Sequence, residues 1–203
     1  GKIAQVRTYS AALTPAQITT NYNATKDLYQ GVTSLAFSLD ANGHSGTYWT
    51  DSVGSINGTI NGATYVDDNN SDYFNFDGSN DYISIAATET LDTSNVQSFE
   101  LWFQPGNEQH AGHILTRSNS SFNPRGYAFR HNSDEFQAFF YSGTSAKFNQ
   151  GFSVTRGEWT HAVVTIAGTT SGSAVKVYKN GIEAVSGTLS GDIATDSSFL
   201  TII

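Results

Sequence analysis

Hydrophobic and polar positions alternate most clearly near the C-terminal end of the chain. In Ala174-Val175-Lys176-Val177-Tyr178-Lys179, Val175 and Val177 fall on one side and Lys176 and Tyr178 on the other. That is the pattern of a sheet with one face buried and one wet. Asn180-Gly181 follows, and then a second arm, Ile182-Glu183-Ala184-Val185. A two-residue type I′ turn needs positive φ at both central positions, which Asn and Gly tolerate best, so this stretch predicts a tight β-hairpin. The preceding run, Trp159 to Ile166, is different. Ala162-Val163-Val164-Thr165-Ile166 is nearly all apolar, as expected of a strand covered on both faces.

Short runs of the same kind recur along the chain. They predict strands over residues 1–9, 35–39, 63–66, 73–76, 82–85, 98–104, 113–116, 126–130, 135–141, 146–148 and 199–203. Ala41 to Gly62 reads as a long loop, because Asn42-Gly43, Asn57-Gly58 and Asn61-Gly62 are turn signals. One helix is predicted, over Pro15 to Asn23. Thr14 is a good N-cap, Pro15 suits the first helical position, and Gln17 completes a capping box. Leu13 and Ile18 have the spacing of a hydrophobic staple, and Ile18 and Tyr22 lie one turn apart. Many short strands separated by turn residues point to a sandwich or barrel.

The 203 residues suffice for one all-β domain with a sizeable core. No apolar run approaches the ~20 residues of a membrane-spanning helix, which argues against membrane insertion. The formal net charge of -8 argues against a nucleic-acid partner, whose phosphates are bound by Lys and Arg. The chain has no Cys, which excludes disulfides, thiolate metal sites and Cys nucleophiles. It also has no Met, so residue 1 is not a natural start, and the chain reads as a piece of something longer.

The run WTDSVGSINGTINGATYV at Trp49 to Val66, then Phe76-Asp77-Gly78-Ser79-Asn80-Asp81-Tyr82-Ile83, then Ser98 to Pro105 (SFELWFQP), resembles a laminin-G-like domain of the concanavalin A-like superfamily. Glu158-Trp159-Thr160-His161 and VKVYKNG at Val175 to Gly181 continue the resemblance in order. It implies an antiparallel jelly-roll β-sandwich. One departure concerns order. Residues 1–26 resemble the last strand and closing helix of such a domain, yet they come first; residues 27–203 resemble the rest of the sandwich. Residues 1–26 therefore end a preceding repeat, close their own sheet in a permuted domain, or pass to another copy of the chain. Packing on this same domain is favoured, since one sheet otherwise carries an unpaired position.

The glucanases of this superfamily carry closely spaced carboxylates on one strand, roughly Glu-x-Asp-x-x-Glu, and no such spacing occurs here. A nucleophile-elbow glycine pattern is absent too. The missing spacing argues for a non-enzymatic module, with a glycoside hydrolase whose carboxylates converge from distant positions as the less favoured alternative. Laminin-G-like relatives often hold calcium at one rim of the sandwich. Asp51, Asp77 and Asp81, with Asn57 and Asn80 nearby, are candidate ligands, since calcium takes carboxylate and amide oxygens. Asp67, Asp68, Asn69, Asn70 and Asp72 form a second group. All these residues serve equally as turn formers.

Sugars are bound by aromatic rings that stack on their faces and by polar groups that bond their hydroxyls. Tyr48, Trp49, Tyr127 and Arg130 are the candidates, with Trp49 equally suited to plug the fold. His110, His113, Phe122, Arg125 and His131 fall in or near the same middle region and could line a groove on the concave sheet. Trp102 and Trp159 lie within strands and read as core. The expected function is a lectin-like module for carbohydrate binding or adhesion in a larger extracellular or virion-surface protein, its partner a cell-surface glycan. The alternative is a structural module, such as a phage decoration or tail component, bound to neighbouring protein chains.

Overall fold

The computed structural model describes residues 1–23, 35–68, 72–92, 98–106, 111–118, 124–194 and 200–202. The elements run β1 (Lys2–Tyr9), α1 (Pro15–Asn23), β2 (Leu35–Ser45), β3 (Tyr48–Asp51), β4 (Gly58–Asn61), β5 (Thr64–Val66), β6 (Tyr73–Asn75) and β7 (Tyr82–Ile85). A short 3-10 helix at Glu89–Leu91 precedes β8 (Ser98–Gln104), β9 (Ala111–Ser118), β10 (Pro124–Asn132), β11 (Glu135–Ser142) and β12 (Ser145–Ser153). The chain then forms β13 (Thr160–Ile166), β14 (Ala174–Lys179), β15 (Ile182–Thr188) and β16 (Leu200–Ile202). Two antiparallel sheets make the concanavalin A-like sandwich. One layer runs β2-β1-β8-β13-β14-β15, the other β12-β11-β10-β9-β16-β7-β4-β3. β2 is the corner, its first half pairing β1 and its second half pairing β3.

β1 lies inside its sheet, with β2 on one side and β8 on the other. Between the layers, Val6, Leu39, Leu101, Val164 and Val177 from the first sheet meet Phe129, Phe136, Phe140 and Ile83 from the second. β13 is buried at every position. Its inner residues Ala162, Val164 and Ile166 join this core, while Val163 packs with Tyr9, Leu13, Ile18 and Tyr178 beneath α1. The nearly unbroken apolar run in the sequence reflects this double cover.

Local signals are realised closely. Gln17 N donates to Thr14 Oγ1 at 3.3 Å and Thr14 N to Gln17 Oε1 at 2.8 Å, the reciprocal capping box. Asn180 and Gly181 have φ of 50° and 81°, as a type I′ turn requires. Other expectations change. Residues 41–62, predicted to be loop, hold the end of β2, all of β3 and β4. Their Gly, Asn and Ser content hides a strand pattern, and tertiary pairing overrides it. Trp102 and Trp159, read as core, are only half-buried. Trp102 lies on the outer face under Tyr22 of α1, rings 6.0 Å apart and 12° from parallel, and Trp159 meets Tyr73 edge-on.

Candidate functional site

The predicted calcium ligands do not converge. Asp51 is buried, and its carboxylate organises the loop after β3. Oδ1 accepts from Ser38 N and Val53 N, and Oδ2 from Gly54 N and Ile56 N, at 3.0–3.3 Å. Asp77 and Asp81 form the β6–β7 turn, where Asp77 Oδ1 accepts from Ser79 N and Asp81 Oδ2 from Asp77 N. Ser38 pairs with Arg7, whereas Phe76 N donates to the carbonyl of Gly1. Six residues of strand separate Gly1 from Arg7, which at ~3.3 Å each puts Asp51 roughly 20 Å from the turn. Among the described residues no three His, Asp or Glu side chains group as metal ligands. The candidate set therefore does not fit one calcium ion. Asp67 and Asp68 are exposed, and Asp72 bonds the Tyr65 hydroxyl at 2.6 Å, pushing that phenol up to about 12. Asn69 and Asn70 lie outside the described residues.

The sugar-binding candidates are scattered. Trp49 is fully buried against Phe74, so no ring face is open to a ligand. Its role is the plug. Tyr127 is also fully buried, packed on Phe99 and Phe129. Tyr48 is exposed on β3. Arg130 lies on the outer face of β10. His110, Phe122 and the Arg125 side chain fall outside the described residues.

What the structure does bring together is a cavity of about 740 Å³ at one rim, between the layers. The β6–β7 turn supplies Asp77, Asn80 and Asp81, and β8 supplies Phe103 and Gln104. Lys2, Phe76, Ser79, Tyr82, His113 and His131 add further polar and aromatic groups to the lining. Cross-strand partners share a face. His131 pairs with the core residue Phe136, so its ring turns inward between the layers. Its Nε2 is shielded from solvent and has no hydrogen-bond partner among the described residues. Burial holds His131 below its ordinary pKa, and burial followed by the charge of Arg130 does the same to His113. Neutral imidazoles, amides and carboxylates beside aromatic rings suit a ligand rich in hydroxyl groups.

His113 also belongs to the neighbouring open face, where it pairs with Arg130. There the Arg130 guanidinium lies 4.5 Å over the Phe139 ring, and Tyr141 stands 5.6 Å from Phe139, 11° from parallel. Arg130 Nε donates to Gln137 Oε1 at 2.7 Å, and Gln137 Nε2 to Glu135 Oε2 at 2.7 Å. Burial raises the Tyr141 hydroxyl, against the pull of Arg130.

The opposite outer face is closed. Under α1, Glu100 is fully buried and receives the Tyr9 hydroxyl, Asn21 Nδ2 at 2.9 Å and His161 Nε2 at 2.8 Å, with Arg7 3.8 Å away. Burial alone would raise the Glu100 carboxyl. The His161 bond and charge, Arg7 and Tyr9 outweigh it and leave the carboxyl below its usual range. Burial lowers Arg7 to about 10, against the pull of Glu100, Tyr9 and Asp40. Burial, then the charge of Glu100, raises the Tyr9 phenol. The sequence contains no local sign of this cluster, because its members come from β1, α1, β8 and β13.

The arrangement matches known proteins at the level of fold. Residues 77–203 match the laminin G family model of the concanavalin A-like lectin/glucanases superfamily. The chain belongs to that superfamily. No curated protein sequence matches the chain. Among solved structures, the botulinum neurotoxin serotype G binding domain superposes with a TM-score of 0.56 at 15% identity, over 76% of this chain and 40% of that one. The binding domain of Paraclostridial Mosquitocidal Protein 1 gives 0.56 at 14% identity, over 78% and 45%. The botulinum neurotoxin serotype D ligand binding domain, solved with N-acetylneuraminic acid, gives 0.53 at 12%, over 75% and 42%. This concanavalin A-like chain thus spans less than half the length of each. Among its described residues no helix is long and apolar enough to cross a membrane.

Proposed function

We propose that this chain is a non-catalytic glycan-binding module of a larger exported or particle-surface protein, and that the sugar enters the rim cavity. The observation that carries the reading is the lining, where Tyr82 stands beside Asn80, Gln104 and His113 in one concave space. The membership in a lectin-bearing superfamily and the sugar bound by the serotype D domain support it. Binding without turnover suits a cavity whose carboxylates, Asp77 and Asp81, are engaged by the amides of their own turn.

A glycan array followed by calorimetry on the best ligand tests the reading. Gln104→Ala and Asn80→Ala are each expected to weaken binding about tenfold, the scale of one or two lost hydrogen bonds, with the thermal midpoint little changed. Silence of the wild-type protein across the array would sink the glycan reading in favour of a module that contacts neighbouring protein chains. Binding that ignores both substitutions would remove the sugar from this cavity.

A further inference from the structure

We infer that the glycan taken by this module carries a carboxylate, and that the Arg130 guanidinium receives it on the open sheet face beside the rim cavity. The inference rests on the glycan reading and adds the ligand's charge.

Three observations point there. The first is the state of the guanidinium fork. Arg130 spends its Nε on Gln137, and its plane lies over Phe139, but its terminal nitrogens have no partner among the described residues. An arginine is a planar donor array matched to a carboxylate, and it normally finds one when it is partly shielded. The second is rigidity. Gln137 is itself held by Glu135, and Phe139 is held between Arg130 and Tyr141. Glu135 is thereby engaged by the amide, and the fork is fixed before any ligand arrives. A prepositioned fork loses little side-chain freedom on binding.

The third is continuity with the cavity. His113 lines the rim and is the cross-strand partner of Arg130. A saccharide seated at the rim therefore needs only to pass His113 to reach Arg130. Carrying a formal charge of -8, the protein as a whole repels anions. On that background the fixed Arg130 fork supplies a directed bidentate contact for an acidic sugar residue, which the single ammonium of Lys2 at the rim does not. The carboxylate could belong to a hexuronic acid or to a sialic acid; the chemistry is shared, and the ligands tested separate them.

The experiment uses the whole chain and immobilised ligands: one glycan in sialylated and desialylated forms, a hexuronic-acid oligosaccharide, and a sulfated neutral oligosaccharide. At least one carboxylated ligand is expected to bind about tenfold or more tighter than its neutral counterpart, as a charge-assisted bidentate contact provides. Arg130→Lys and Arg130→Ala are expected to abolish that preference while leaving residual affinity for the neutral form, because the rim contacts remain. The preference should also shrink as salt is raised. Equal affinity for acidic and neutral forms, or a preference that survives both substitutions, overturns the inference and leaves the glycan reading standing. A preference for the sulfated ligand overturns the carboxylate assignment. No binding to any of the ligands fails the glycan reading itself. Thermal midpoints of the two variants within a few degrees of wild type exclude misfolding as the cause.

Discussion

Glu100 has a full set of partners in a place that water does not reach. Its carboxylate is shared by Tyr9, Asn21 and His161, with Arg7 alongside. Removing the carboxylate takes away the acceptor shared by Tyr9, Asn21 and His161 and a counter-charge of Arg7, and breaking such a buried charged set costs ~3–5 kcal/mol. Glu100→Gln is therefore expected to lower stability by that order at neutral pH. The pH dependence has a definite sign. The folded-state pKa of Glu100 is below its ordinary value of 4.5. Its contribution is complete above that value and is lost as pH falls towards the folded pKa. Thermal unfolding of wild type and Glu100→Gln, followed by circular dichroism from about pH 7 to about pH 3, checks this. The variant should show the shallower acid loss, and parallel slopes would refute the account. At the same scale, Asp51 and Trp49 show why residue type alone misleads. An Asp that suits calcium equally suits four backbone amides, and a Trp that suits a sugar equally suits a core. The sequence contains both candidates, and burial chooses between them.

At the scale of elements, α1 and β1 act together. β1 takes hydrogen bonds from β2 and β8, and α1 folds back over β13 and β14 through Leu13 and Ile18. Ile18 is fully buried. Ile18→Ala should cost ~2–5 kcal/mol, the range for emptying such a site. It should also loosen the contact between Tyr22 and Trp102, so the Trp fluorescence should shift with the urea midpoint. A fully retained midpoint would mean that α1 is not a structural cover. The helix was legible because its signals are local: a cap, a Pro at the first turn, a staple within five residues. The hairpin at Asn180-Gly181 was legible for the same reason. β3 and β4 were not, since their Gly, Asn and Thr residues gain strand structure only from β2 and β7.

For the whole molecule, the two outer faces differ. One is covered by α1 over a buried polar cluster. The other bears Arg130, Gln137 and Tyr141, and adjoins the rim cavity. The proposed glycan site comprises the rim and this open face. Because Asp51 lies far from Asp77 and Asp81, these three residues do not together make a calcium dependence of folding or binding. Asp51→Asn is therefore expected to leave any response of the thermal midpoint or glycan affinity to millimolar calcium or a chelator unchanged. A calcium-dependent rise in either would require a site that these three residues do not form. The family resemblance extended the reading of the sequence to layer architecture, which periodicity alone leaves open between sandwich and barrel.

By itself the sequence determined the strand-rich class, the turn at Asn180-Gly181, the capped helix and the double burial of β13. Each follows from side-chain alternation or from backbone preference within a few residues. Only the tertiary structure decided that β1 sits inside its sheet, that Trp49 and Tyr127 are core, that Glu100 is enclosed and that the Arg130 fork stands open. Those outcomes depend on which distant strands become neighbours, a choice made by burial and hydrogen bonding summed over the whole sandwich.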